Sequence, residues 1–510
     1  MIPLEWMPPL MFAGLIVFML IGFPVAFSLM AAGLFFSAIA INEGFFGIAF
    51  LQAIPQRIFG SVLANDLLLA IPFFTFMGAI LERCGLAEEM LDSMGQLFGR
   101  VRGGLGYSVI IVGFILGAIT GTVAAQVIAM AMISLPVMMR YGYNMRYATG
   151  VLAASGTITQ LVPPSLVLIV LADQLKTQSG SADVGSMYLG AWGPSLLQIG
   201  LFALYTFFLS RIHPDYLPPL PTSDLTLKGW ALWKKCLLGI IPSAVLIFLV
   251  LGTIMTGIAT PTESGAMGAM GALLLAWLRR SKIPNLKGLI QEAYQNTMRI
   301  TAMVVFILIG STCFSVVFQG VDGGFWVEEL FSNLPGGWIG FLIIVNLFVF
   351  FLAFFLDFFE IAFIVVPMLA PVAVKLLSPV LLDSMNGNPQ AAASAALVWF
   401  GVMLCVNMQT SFMHPPFGFA LFYLRGVAPK EVKSSDIYWG ALPWVGLQLI
   451  MVVLVMTFPA LVTTLLDKPA AVAESQDFNF TGGDTNKPDS PASKVDEDAP
   501  VTFQLDKPTK

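Results

Sequence analysis

Between Arg102 and Arg140 the chain runs for 37 residues without a charge, GGLGYSVIIVGFILGAITGTVAAQVIAMAMISLPVMM, with Thr120-Gly121-Thr122 near the middle. A straight helix of that length overshoots a bilayer core of about 30 Å, which about 20 residues cross at about 1.5 Å each, and two complete crossings do not fit. Basic residues mark cytoplasmic ends of membrane segments. Here they stand at both ends: Arg100 and Arg102 before the run, Arg140 and Arg146 after it. The pattern predicts a re-entrant hairpin, two half-length helices that enter and leave on one side and meet at Thr120-Gly121-Thr122. Non-helical backbone at that depth must be enclosed by protein or line a wet cavity, because free N–H and C=O groups cannot face lipid. The hairpin tip is therefore a candidate site.

The rest of the chain has the composition such a hairpin needs. Of 510 residues 57% are hydrophobic and 11% charged, and the mean hydropathy is +0.85. Uncharged apolar runs recur along it, which makes the expected class an all-α polytopic membrane protein and excludes soluble folds. The net charge of −5 says little about ligands, because eight acids lie between Glu474 and Asp506 in a polar tail. No basic tract suggests nucleic acid. Cys84, Cys236, Cys313 and Cys405 lack metal or disulfide spacing and read as buried small hydrophobes. No charged leader precedes Met11 to Ile21, which reads as the start of a first span.

Threaded by the positive-inside rule, spans near 9–27, 28–41 and 62–81 lead to Glu82 and Arg83, and Gly85 to Arg100 has the period of an amphipathic interfacial helix. After the hairpin, a charge-free run from Tyr147 to Ala172 is interrupted at SGTITQLVPPS (155–165), where two prolines forbid a regular helix. A span near 188–210 follows. A Pro-rich connector then precedes spans near 237–256 and 262–278. The turn Thr260-Pro261-Thr262-Glu263 reads as a capping box rather than a site.

The second half repeats this order upside down. A span near 296–318, an acidic amphipathic segment, an apolar region broken at Leu356-Asp357-Phe358-Phe359-Glu360, an interrupted run carrying NMQTSFMHPPFG (407–418) and a final span near 438–458 follow one another. Gln160 before Pro163-Pro164 and Gln409 before Pro415-Pro416 stand at corresponding places. Such a matched order marks inverted-topology repeats with two re-entrant hairpins and two broken helices. The expected organisation is N-terminal scaffold helices (1–57), a first repeat (58–210, hairpin 103–139), a connector with two scaffold helices (211–292), a second repeat (293–467, hairpin 338–375) and a disordered acidic tail (468–510).

The stretches GFILGAITGTVAAQVIAMAMISLPVMM, AASGTITQLVPPS, LDFFEIAFIVVPMLAP and VNMQTSFMHPPFGFALFYLRGVAP resemble the large membrane subunit of tripartite ATP-independent periplasmic (TRAP) transporters, in particular the mannitol/chloroaromatic branch. The resemblance covers roughly residues 5 to 465. Many members have Ser-Gly-Ser where Thr120-Gly121-Thr122 stands, and Thr where His414 stands. The resemblance implies an elevator-type ion transporter of the bacterial inner membrane that imports a small organic acid. It further implies sodium as the coupling ion bound near the hairpin tips, no other cofactor, a small four-helix membrane subunit, and a periplasmic solute-binding protein. On this threading both the N-terminus and the tail are periplasmic.

The residues suit that chemistry. Sodium is a hard cation served by backbone carbonyls of broken helices and by hydroxyl and amide oxygens. Ion-site candidates are Thr120, Gly121, Thr122, Ser155, Gly156 and Thr157 in the first half, and Leu356, Asp357, Asn407, Gln409, Thr410 and Ser411 in the second. Gln160, Pro163, Pro164, His414, Pro415 and Pro416 are candidates for the solute. Against these readings, Ser and Thr in membrane helices commonly bond their own backbone. Asp357 and Glu360, three residues apart on one helical face, are either structural or gating groups at the second tip or ion or proton ligands. His414 either titrates or makes an interhelical hydrogen bond. The alternative function is a self-sufficient sodium- or proton-coupled organic anion symporter. A membrane-embedded enzyme is disfavoured, because no metal cluster or Ser-His-acid set is evident. No Gly-rich Lys phosphate motif appears, so transport must draw on an ion gradient or a partner.

Overall fold

The computed structural model describes residues 3–177, 179–221, 229–332, 334–415 and 418–468. Pro416, the side chain of Thr120 and the tail beyond Lys468 lie outside the described residues. The described chain is built from helices, seven of them long and apolar enough to cross a membrane, or up to 10 if each bent pair is one span. In the first half these are α1 (Met7–Leu20), α2 (Val25–Asn42), α3 (Ala53–Arg57), α4 (Ala70–Glu82), α5 (Leu86–Phe98), α6 (Gly104–Thr120), α7 (Val123–Arg140), α8 (Met145–Thr157), α9 (Leu166–Gln174) and α10 (Val184–Ile212). Two connecting spans follow, α11 (Trp230–Met255) and α12 (Pro261–Leu278). The second half comprises α13 (Leu286–Gly320), α14 (Gly323–Ser332), α15 (Gly337–Leu352), α16 (Phe358–Ile364), α17 (Val366–Leu381), α18 (Pro389–Met408), α19 (Phe419–Val427), α20 (Ser434–Thr457) and α21 (Ala460–Thr463).

The stretch between Arg102 and Arg140 folds back on itself. Leu105 N–H donates to the Tyr143 hydroxyl at 3.3 Å, whereas a continuous helix would hold those residues about 57 Å apart at about 1.5 Å per residue. Both ends are tied to one short loop, Gly103 N–H donating to Leu217 O and Asn144 N–H to Tyr216 O. The hairpin ends therefore lie on the same side. Its tip turns because Gly121 takes the left-handed region at φ 61°, and Thr122 is extended.

Several expected boundaries shift. The first two spans end and begin at Leu20 and Val25 rather than near 27 and 28, because Gly22 turns at φ +96° and Pro24 offers no N–H to a continuing helix. The second hairpin runs from Gly337 to Leu381 rather than 338–375, and its returning arm is itself bent by 60° between α16 and α17. Pro367 causes that bend by expelling the Phe363 carbonyl from the helix ladder, and Ser311 Oγ on α13 satisfies the freed oxygen at 2.6 Å.

Two groups of helices result. α1, α2, α4, α11, α12 and α13 form a scaffold, and the hairpins, broken helices, α10 and α20 form a second body. The halves of that body interlock: α9, after the first break, packs on α16 of the second hairpin, and α19, after the second break, packs on α7 of the first. The amphipathic α5 joins scaffold to hairpin as its sequence period predicts. Its Glu89 is pushed up by partial burial, but hydrogen bonds from Lys282 and Arg279 outweigh this and hold the carboxyl below its usual range. The turn at Thr260 is the expected capping box.

Close helix contacts use small residues, since lipid supplies no hydrophobic drive between helices. α8 and α20 approach backbone to backbone: a Cβ on Gly150 would lie 2.2 Å from Gly440 O, and one on Gly440 would lie 2.2 Å from Arg146 O. Gly440→Val is expected to destabilise the protein by about 1–3 kcal/mol through overpacking. Thermal unfolding in detergent checks this, and an unchanged transition would show that the two helices separate without loss.

Candidate functional site

The two breaks face each other at the centre of the second body. α8 ends at Thr157, passes through a short 3-10 turn (Ile158–Gln160), and restarts at α9, whose N-terminus is capped by Ser165 Oγ accepting from Val167 and Leu168 N–H. Pro163-Pro164 is a cis peptide. α18 ends at Met408, enters a 3-10 turn (Gln409–Phe412) and restarts at α19. Cys405 Sγ reaches the Gln160 carbonyl at 3.2 Å, directly joining the two breaks.

Counted back from the first proline of each pair, Ser155 and Asn407 both stand eight residues before it, and Thr157 and Gln409 both six. The counterpart of Gln409 is thus Thr157. The correspondence expected for Gln160 is corrected: the residue matching it is Phe412, because Gln160 closes its 3-10 turn three residues before the prolines, as Phe412 does, whereas Gln409 opens its own.

The ion-site candidates divide by their bonding. Ser155 Oγ and Asn407 Oδ1 are buried and have no hydrogen-bond partner among the described residues. Asn407 Nδ2 meanwhile donates to Asn346 O at 2.8 Å and Asn346 Oδ1 at 3.0 Å, pinning the second hairpin to the break. Thr410 Oγ1 donates to Asn407 O and Ser411 Oγ to Met408 O, both at 2.7 Å, the self-bonding that was the competing reading. Their lone pairs stay available to a cation, since only the protons are used. Thr157 Oγ1 donates to Ala154 O at 2.9 Å and accepts from Gln448 Nε2 at 3.0 Å. Gly156 admits α7 closely, as a Cβ there would lie 2.2 Å from Val127 Cγ2. Asp357 and Glu360 form a capping box on α16, Asp357 Oδ1 accepting from Glu360 N–H and Glu360 Oε2 from Asp357 N–H, each at 3.0 Å. That is the structural alternative for this acid pair. Leu356 is buried beside it.

The solute candidates are not brought onto one surface. Gln160 is enclosed, with both amide atoms unpartnered among the described residues, and Pro163 and Pro164 are buried with it. His414 instead stacks on Phe354 with centroids 4.1 Å apart, and with Pro415 it lines a separate apolar cavity of about 380 Å³ together with Tyr438 and Trp439.

A larger cleft of about 770 Å³ lies between α7 of the first hairpin and scaffold helices α4 and α13. Thr122 at the tip borders it, as do Thr75, Asn296 and Arg299. Arg299 makes no ion pair among the described residues, whereas Arg83, also on this cleft, pairs with Glu292. At the opposite end the bodies are in contact: Asn65 Nδ2 of the scaffold donates to Asp173 Oδ1 at 2.8 Å, an oxygen that Lys176 Nζ, three residues further along the same segment, also reaches at 2.7 Å. One end is open and the other latched.

Sequence reasoning passed over four residues that organise this centre. Gln126 Nε2 donates to Gly113 O at 2.6 Å and Ser155 O at 2.9 Å, linking both hairpin arms to the break. Asn346, Gln198 and Gln448 make the corresponding links elsewhere. The signal was present, since each is a lone amide in an otherwise apolar helix, where an unpaired polar group is costly.

Comparison with known proteins places the chain in a family. The family model described as "Tripartite ATP-independent periplasmic transporter, DctM component" matches residues 12–461. The C4-dicarboxylate TRAP transporter large permease protein DctM of Rhodobacter capsulatus is 27% identical over 464 residues, covering 89% of this chain and 97% of that protein. The sialic acid TRAP transporter large permease protein SiaM of Vibrio cholerae is 25% identical, over 86% of this chain and 93% of its own. Among solved structures, the Alcanivorax borkumensis YdaH transporter superimposes with a TM-score of 0.55 at 15% identity, covering 82% of this chain and 90% of that one, a likeness of fold.

Proposed function

Since this chain belongs to the DctM family, the membrane permease component of tripartite ATP-independent periplasmic transporters, we propose that its transport is coupled to sodium and carries a small organic acid inward. The acid is handed over by a periplasmic solute-binding protein, and a small four-helix membrane subunit completes the assembly. The observation that carries the sodium reading is the pair of buried, unpartnered oxygens at equivalent places in the two breaks, Ser155 Oγ and Asn407 Oδ1. A buried acceptor without a partner costs about 1–3 kcal/mol, and a desolvated cation among break carbonyls is a ligand that relieves the cost at both places.

The acid reading rests on the cleft. Arg299 offers an uncommitted guanidinium on the path to Thr122, suited to a carboxylate. The two named relatives transport C4-dicarboxylates and sialic acid, both of them acids. With the basic ends taken as cytoplasmic, the cleft opens inward and the Asn65–Asp173 end is external, so the described state is the releasing one. Thr122 then meets solute or ion at the mouth of the first hairpin.

Purified permease in detergent tests the ion. Sodium chloride is expected to raise the thermal transition by stabilising the fold, by about 2.7 kcal/mol per bound ion at 100 times its dissociation constant, and Thr122→Val to raise the sodium needed several-fold. Potassium and sodium acting alike, in both proteins, would sink sodium coupling. Uptake into proteoliposomes that proceeds without any soluble binding protein would favour the self-sufficient symporter instead.

A further inference from the structure

The two spans that follow the broken helices carry one buried glutamine each, and each reaches across to the other half. Gln198 of α10, after the first broken helix, donates its Nε2 to Gln409 Oε1 at the second break at 2.8 Å. Gln448 of α20, after the second broken helix, donates its Nε2 to Thr157 Oγ1 at the first break at 3.0 Å. Thr157 and Gln409 are the equivalent positions of the two repeats, six residues before their prolines. All four side chains are fully enclosed, at 0% exposure.

The equivalence extends to what is left over. Gln198 Oε1 and Gln448 Oε1 are both buried acceptors without a partner among the described residues. Each amide has spent a donor on the opposite break and presents an acceptor beside it. Placing an amide in an apolar helix is expensive unless it is bonded, and it happens here twice, at related positions and with crossed partners. Packing alone would be served by leucine.

We propose that Gln198 and Gln448 are a crossed pair of positioning residues that couple the two ion sites. α10 holds the second break in place and α20 the first, so ordering one break by an ion stiffens the helix that supports the other. The inference rests on the sodium reading above. By linkage the coupling is reciprocal: each ion raises the affinity for its companion.

The test uses the full-length permease in detergent, with sodium chloride against potassium and lithium chlorides as probes and the thermal transition as readout. Gln198→Leu and Gln448→Leu are each expected to lower the Hill coefficient of the sodium curve toward one and to raise the half-saturating sodium several-fold. Thr157→Val combined with Gln198→Leu, two residues with no hydrogen bond to each other among the described residues, should be non-additive in half-saturating sodium, as coupled sites are. The sodium-to-lithium ratio should also change, because mispositioned ligands discriminate ion size less well. A purely structural role would lower the transition equally in sodium, lithium and potassium while leaving the Hill coefficient and the ratio intact, and that result overturns the proposal. Should a variant not fold, the shorter Gln198→Asn and Gln448→Asn are expected to show the same loss of cooperativity, and retained cooperativity in both overturns it. A wild type indifferent to sodium would overturn the sodium reading along with the coupling. A sodium-responsive wild type with unaltered variants overturns only the coupling.

Discussion

Asn407→Leu is expected to lower sodium-dependent uptake by on the order of 100-fold, the largest effect of any single side chain at the centre. The substitution removes the unpartnered Oδ1 offered to an ion and the two donations that hold the second hairpin at Asn346. Losing a ligand to a charge costs about 1.5–3 kcal/mol, and leaving Asn346 Oδ1 without its donor adds a further penalty. A total of about 3 kcal/mol corresponds to roughly 100-fold. Initial uptake rates at saturating and limiting sodium separate the contributions: the loss should be greater at low sodium. Asn407→Asp keeps an oxygen in place while giving up the donor, so it is expected to retain more sodium affinity than the leucine variant. Equal loss in both, independent of sodium, would assign Asn407 to the hairpin contact alone.

Asp173→Ala is expected to shift the protein away from the described state by about tenfold. Asp173 is the acceptor on which Asn65 of the scaffold and Lys176 converge, and Asn65 is the member on the other body. Hydrogen bonds to a charged group contribute about 1.5–3 kcal/mol, and 1.4 kcal/mol is about a tenfold change in a two-state ratio. If the bodies slide past one another during transport, this latch belongs to the state with the cleft open, and its loss depopulates that state. A cysteine placed at Ala125, which borders the cleft, reports the shift as slower modification. The four native cysteines are buried, so they add little background. Modification at an unchanged rate in the Asp173 variant would show that Asn65 and Asp173 move together.

Both expectations depend on contacts that bring distant parts of the chain together, and they show where sequence reading stops. The hairpin at Thr120-Gly121-Thr122 was legible because three constraints coincide in one segment: uncharged length, basic residues at both ends, and a Gly able to turn. The breaks were legible for a similar local reason, since a proline pair forbids a helix whatever surrounds it. The capping box at Thr260 was read from spacing alone, yet the same box at Asp357 and Glu360 stood beside an ion-binding reading. There the intramembrane setting of two acids left both readings open, and the backbone geometry that satisfies them was not visible.

What the sequence by itself determined is the class of the protein, its inverted order and the location of both breaks, all properties of hydropathy, charge and local backbone freedom. Only the tertiary structure decided which oxygens are left without partners and which amides cross from one half to the other. Gln198 meets Gln409 at a sequence separation of 211 and Gln448 meets Thr157 at one of 291, and no periodicity encodes pairing at such separations. It also decided that His414 belongs to an aromatic stack while Thr122 borders the cleft. A membrane imposes its rules on each helix separately, through length and polarity. The pairing of polar groups between helices is settled by how the helices pack, and that is where the site is made.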